Sequence, residues 1–287
     1  MSLAYDNVLS TTNTAEMVAG IIIPPQPIIL MKVSKELAKS DGGSVHNLAA
    51  FIAQDLGLSA AILKTINSSL YGLSKEVKNI EHAIELLGNK NIRTITTSFS
   101  LRKIHVGPSL ESYWFDSGRT VMVANFLCRR FDDFDVEDIS LYSLFHDAGQ
   151  ILMHQRFGSY AKMLKFSAEP DQNIIQLENA SYHTDHMLIG ALLARAWGLP
   201  KSIRNAISRH HDLDVFSAMT LSTAELNMIA ITNLAEYIIA NGDTNFTQTE
   251  WSAYHQSLMH YLHINNVQMV DIFYDIDEFI EEHKTSF

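Results

Sequence analysis

The stretch Ile52–Gly88, IAQDLGLSAAILKTINSSLYGLSKEVKNIEHAIELLG, repeats its apolar residues at spacings of three and four and scarcely alternates. Apolar side chains at that spacing line one face of an α-helix, whereas a half-buried strand would place them at every second residue. Gly57 marks a turn, Ala60–Asn67 resumes helical spacing, and a turn at Tyr71-Gly72 precedes a helix that ends near Leu86–Gly88. The segment therefore reads as short helices joined by tight turns.

The same reading extends in both directions. Upstream, IIIPPQP (Ile21–Pro27) interrupts one helix and starts another, because proline removes an interior helix hydrogen bond but fits the first turn. The next helix is expected from about Pro27 to Lys39, with a stop at Asp41-Gly42-Gly43, and Ser44 can cap a helix running through His46-Asn47 to about Asp55. Residues 46–69 look like a helix-turn-helix, yet the second helix offers only Lys64 as a cation. Phosphate and base contacts need several, so the segment reads as packing.

Downstream, helical runs are expected near Trp114–Arg130, Val136–Gln155, Asn173–Trp197, Pro200–Arg209 and Leu221–Ala240. DDFDVED (Asp132–Asp138) reads as a solvated loop and the acidic first turn of a helix. The acidic, aromatic tail from Val270 reads as a terminal helix. The expected fold is all-α, with two helical lobes. Gly107-Pro108, within His105–Leu110, suggests the boundary, giving an N-terminal lobe at 1–106, a second lobe at 107–245 and a C-terminal helical extension at 246–287.

Composition narrows the function classes. A chain of 287 residues with 47% hydrophobic content can bury a substantial core. Its formal net charge of −11 repels phosphate backbones, and its 21 Lys and Arg form no basic stripe, so nucleic acid is not an expected partner. The lone Cys128 cannot make an internal disulfide, which suits a reducing compartment. The apolar run Val18–Ile23 is far too short to cross a bilayer and lacks the basic start of a signal peptide. A cytoplasmic location without membrane association is expected.

Thirteen histidines remain to be explained. His146 and Asp147 lie side by side in SLFHDAGQILMHQRF (Ser143–Phe157). His183 and His186, three apart on an expected helix, would share a face, and His210-His211 follow. Imidazoles and carboxylates gathered from several helices are the usual ligands of a transition-metal site. An isolated His-Asp pair reads more readily as a helix-terminal aspartate beside a hydrogen-bonded, half-buried histidine. On spacing alone both readings stay open.

Together the motifs resemble the HDOD domain, a bacterial relative of the HD phosphohydrolases. The proline-rich start, Asn67-Ser68, Tyr71-Gly72 and Leu87-Gly88 match its N-terminal signature. LFHDAGQILM and HMLIGALLARAWGLPKSIRNAISRHH resemble its HD-like half, and the likeness spans about residues 20–240. The resemblance implies an all-α fold whose second lobe is built like an HD domain. It also implies a metal site with His146 and Asp147 as the pair, His186 as the intervening histidine, and His210 and His211 as the later doublet. Asp116 falls where the first histidine is expected, Asn233 where the closing aspartate is expected, and Ser112 where the two-metal relatives carry a glutamate.

A neutral amide is a poor replacement for an anionic ligand, and lost ligands lower affinity and misorient an activated water. The expectation is therefore a non-catalytic signalling module with a degenerate site, binding a signalling protein or a small ligand. No cofactor is expected beyond a divalent transition metal (Mn, Fe or Zn) that Asp116, His146, Asp147 and the later histidines could still hold. The alternative is a metal-dependent phosphohydrolase acting on nucleotides or cyclic dinucleotides.

Overall fold

A computed structural model describes residues 18, 20–40, 42–104, 111–131, 134–167, 169, 172–218, 220–242 and 248–283, without the side chains of 111–112, 241–242 and 248–254. Among these residues there are helices and no strand, as the periodicity predicts. No described helix is long and apolar enough to cross a membrane. The chain divides into two compact units, one of residues 25–115 and 278–287, the other of residues 1–24 and 116–277. The boundaries expected at 106/107 and 245/246 lie outside the described residues.

The first unit is built on α1 (Ile28–Leu37), α2 (Val45–Ile52), α3 (Leu56–Ile66) and α4 (Ile80–Arg102). Its core gathers Val33, Leu37, Leu48, Ile52, Leu58, Ile62, Ile66, Ile84, Leu87 and Ile92. Five of these belong to the helix-turn-helix-like stretch, so its apolar faces are spent on packing. The expected stop at Leu87-Gly88 is a break inside α4, where Gly88 takes φ 74° and ψ 164°.

Polar side chains fix the connections. The Asn67 amide spans the loop after α3, its Nδ2 donating to the Val77 carbonyl and its Oδ1 accepting from the Val77 amide, both at 2.8 Å. Glu36, only 4% exposed, accepts from the Ser44 amide and the Asn47 side chain and pairs with Lys39. It thereby ties α1 to the start of α2.

The second unit contains α6 (Val136–Phe145), α7 (Ala148–Arg156), α8 (Tyr160–Ser167), α9 (Ile174–Tyr182), α10 (His186–Ala196), α11 (Lys201–Ile207), α12 (Thr223–Gly242) and α13 (Gln248–Tyr261). Two further helices, α5 (Glu111–Cys128) and α14 (Asn266–Glu282), each run across a unit boundary. The core of this unit is aliphatic and aromatic, with Tyr142, Phe145, Ile151, Ile189, Leu193, Trp197 and Leu234 buried.

Two expected helices are each divided in two, and both corrections bear on function. The run from Val136 to Gln155 breaks after Phe145, and His146-Asp147 form the junction between α6 and α7. The break follows from packing. A Cβ on Gly149 would stand 2.0 Å from the His186 carbonyl oxygen, so α7 starts in backbone contact with α10. The run from Asn173 to Trp197 breaks at His183, which adopts the left-handed region at φ 57°, and Asp185 caps α10 through the Leu188 amide at 2.9 Å. His183 is consequently exposed on the helix end and does not share a face with the fully buried His186.

Candidate metal centre

The broken helices deliver their ends to one place. Asp147 stands at the first turn of α7 without using its side chain as a cap, which leaves the carboxylate to turn inward. His186 is the first residue of α10, and His210-His211 lie in the turns just after α11. Asp147, His186, His210 and His211 each offer one ligand atom, and these atoms all lie within 4.8 Å of one another. Asp147 Oδ1 is 3.3 Å from His186 Nε2 and 3.4 Å from His210 Nε2, and the two nitrogens are 3.4 Å apart.

The outer ring atoms determine what those inner atoms can be. His210 Nδ1 donates to the Ile207 carbonyl at 2.8 Å, and His186 Nδ1 donates to the Glu178 carboxylate at 2.8 Å. In neutral rings both Nε2 atoms then present lone pairs toward the Asp147 Oδ1 oxygen. Three converging acceptors require a positive charge among them. In a tetrahedral shell with bonds of about 2.0–2.1 Å, neighbouring ligand atoms stand about 3.3 Å apart, so the residues fit a metal ion.

Without an ion, protons take up that role. Burial depresses the His186 imidazole, but Glu178 and Asp147 outweigh it and hold the ring well above its ordinary value. Burial and the adjacent His211 push His210 down to about 3. Burial also raises the Asp147 carboxyl, and the surrounding imidazoles, His146 first, reverse this to leave it well below the carboxylate range.

On the other side of Asp147, His146 is 3% exposed. Its Nδ1 donates to the Ser143 carbonyl at 2.9 Å and its Nε2 lies 2.7 Å from Glu236 Oε1. Burial lowers this imidazole, whereas Glu236 and then Asp147 raise it to about 9 overall. His146, Asp147 and Glu236 form a second group able to hold a metal ion.

Five of the six residues picked from sequence are thus brought together, in two groups sharing Asp147. Asp116 is exposed on α5 and belongs to neither group. Asn233 is 4% exposed on α12, with its Nδ2 lacking a hydrogen-bond partner, and the side chain of Ser112 lies outside the described residues.

Two glutamates escape the sequence reading. Glu236 lies one helical turn beyond Asn233, a spacing that could have signalled it. Glu178 is fully buried and accepts from the His186 ring, the His186 amide at 3.0 Å and the Tyr160 hydroxyl. An imidazole braced by a buried carboxylate is the arrangement that orients metal-binding histidines elsewhere. No motif flags Glu178.

Fold and site together define an all-α protein with a buried His/Asp centre at the junction of several helix ends. The sequence profile of the HDOD domain matches residues 23–213, and the chain belongs to that family. An uncharacterized protein of Treponema pallidum (strain Nichols) is 24% identical over 216 residues, covering 72% of this chain and 42% of its own length. The chain thus spans less than half of that relative.

Among solved structures, a candidate signal transduction protein from Marinobacter aquaeolei VT8 is similar with TM-score 0.75 at 15% identity, over 99% of this chain and 65% of that one. A candidate phosphohydrolase from Shewanella amazonensis SB2B is similar with TM-score 0.72 at 17% identity, over 97% of both chains. At such identities the likeness concerns the fold.

Proposed function

We propose that this chain is a cytoplasmic signal-transduction module whose HD-like unit binds a divalent transition metal without hydrolysing phosphoesters, and which relays its state to a signalling protein or through a small ligand. The observation that carries the metal half is the convergence of Asp147 Oδ1, His186 Nε2 and His210 Nε2, at 3.3, 3.4 and 3.4 Å from one another. Asp147, His186, His210 and His211 would hold the ion, and Mn, Fe and Zn all accept such a nitrogen- and oxygen-rich set. Glu178 fixes the tautomer and angle of His186, and the Ile207 carbonyl does the same for His210.

What supports the non-hydrolytic half is the ligand set around this core. Asp116 stands outside both groups, and Asn233 offers an amide where the resemblance implies a carboxylate. When bound, a metal ion in such a site supplies Lewis-acid polarisation and an activated water. Efficient hydrolysis also requires that water to be oriented by a complete shell. The similar structures named for signal transduction and for phosphohydrolase chemistry keep both readings in view.

An assay with phosphomonoesters, nucleotides and cyclic dinucleotides in added manganese or iron separates them. The expected result is no turnover above the uncatalysed background. Turnover that saturates with substrate and disappears in His146→Ala contradicts the proposal and favours the phosphohydrolase.

A further inference from the structure

We propose that this chain associates head to tail with further copies of itself, the bare face of α1 in one copy seating on the bare face of α14 in the next. The contact uses none of the residues of the metal centre.

α14 buries Met269, Ile272 and Ile276, yet its opposite side is not polar. Val267, Val270 and Tyr274 stand there 72%, 53% and 73% exposed, with Asp271 and Asp277 exposed beside them. Spacings of three and four place these side chains in one stripe, where a surface helix ordinarily shows polar residues. Exposed apolar residues scattered singly are ordinary, whereas a contiguous row that includes a tyrosine marks a binding face.

α1 repeats the pattern with the opposite charge. It buries Leu30, Val33 and Leu37 and leaves Ile28 and Met31 69% and 49% exposed, with Lys32 and Lys35 following. Counted from Ile28 and from Val267, the exposed apolar pair occupies the first and fourth positions of both helices, and the fifth is Lys32 in one and Asp271 in the other. Laid side by side in parallel, Ile28 and Met31 meet Val267 and Val270, and Lys35 comes level with Tyr274 between Asp271 and Asp277. An ammonium against a tyrosine ring, with a carboxylate on either side, satisfies charge and contact together. The antiparallel arrangement would set Lys35 against Val270 and Ile28 against Asp277.

Charge is divided in the same sense along the chain. Residues 25–115 hold ten Lys and Arg against seven Asp and Glu, whereas residues 116–277 hold ten against twenty. Electrostatic steering therefore favours α1 of one copy approaching α14 of another over an encounter of like faces. Because the two faces differ, the contact is heterologous, and each joined copy keeps a face free for a further one. A single pair of helix faces is smaller than a standard interface, so the association is weak and concentration-dependent.

Sedimentation velocity of the full chain, from low micromolar to near-millimolar concentration, tests this. The parent should shift to larger species as the concentration rises. I28E and V270E each put a carboxylate into one of the two faces, and each alone should associate at least about tenfold more weakly than the parent. Mixed together they should recover a dimer of one chain of each kind and nothing larger, since V270E keeps an intact α1 face and I28E an intact α14 face. If either variant does not fold, as judged by its melting curve, the charge reversals carry the test. K35E and D271K should each weaken association, and the double variant K35E/D271K should associate more tightly than either. A parent that stays monomeric throughout, an I28E or V270E that associates alone as the parent does, a mixture that stays monomeric, or a double charge reversal weaker than both single ones overturns the head-to-tail contact.

Discussion

At the scale of single residues, the most informative side chain is Glu178, a carboxylate with no exposure whose partners are all inside the unit. Glu178→Gln keeps the shape and removes the charge that holds the His186 proton on Nδ1. Metal affinity should fall about 10- to 100-fold, and the melting temperature in chelator should fall too, since a buried charged partner is lost. A variant with parental zinc or manganese affinity in competition with a chromophoric chelator would show that His186 needs no such brace.

Glu36 makes a second residue-scale case, in the first unit. Hydrogen bonds from Lys39, the Ser44 amide and Asn47 lower its pKa from the ordinary 4.5 to about 2. Because the folded value is depressed, its contribution to stability is complete above pH 4.5 and is lost as the pH falls toward 2. The melting-temperature gap between parent and Glu36→Gln should be full at neutral pH and shrink through that acid window. A gap that is constant from neutral pH to pH 2 would mean that the ionised carboxylate contributes nothing.

At the scale of elements, most helices were legible, whereas α8, the second half of α4 and the breaks at 146–147 and 183 were not. Spacings of three and four predict α1, α2, α3 from Ala60 on and α4 as far as Gly88, though not its continuation to Arg102, and Asp135 accepts from the Glu137 and Asp138 amides, as expected of the acidic first turn of α6. Nothing local in LFHDAGQILM announces a break after Phe145. The cause is tertiary, the contact of α7 with α10 that requires glycine at 149. His186 was reached through the family resemblance, whereas its supposed partner His183 was misplaced because a left-handed backbone at 183 ends α9 before Asp185 caps α10.

Gly149→Ala would drive a methyl into the His186 carbonyl, and the backbones must separate to admit it. A loss of at least about 3 kcal/mol is expected in chemical denaturation, with weakened metal binding because Asp147 and His186 move apart. An alanine variant within about 0.5 kcal/mol of the parent would show that the approach of α7 to α10 is not needed for stability.

At the scale of the whole molecule, composition and charge indicated a well-packed acidic chain, and the described residues fold into two helical units. The site was partly legible because its histidines come in recognisable company, His146 with Asp147 and His210 with His211. Glu178 and Glu236 were not, because a single glutamate on an amphipathic helix has the same local pattern whether it faces water or a buried imidazole.

An ion at the centre would tie the α6–α7 junction, the start of α10 and the turn after α11 together, and a ligand that binds only the folded state stabilises it by mass action. Elemental analysis of the full chain purified without chelator, beside the double variant His186→Ala/His210→Ala, tests this most directly. The parent should carry at least about one equivalent of manganese, iron or zinc per chain, and the folded double variant should have lost the ion at that centre. A metal-free parent, or a variant that keeps as much metal as the parent, would contradict the account.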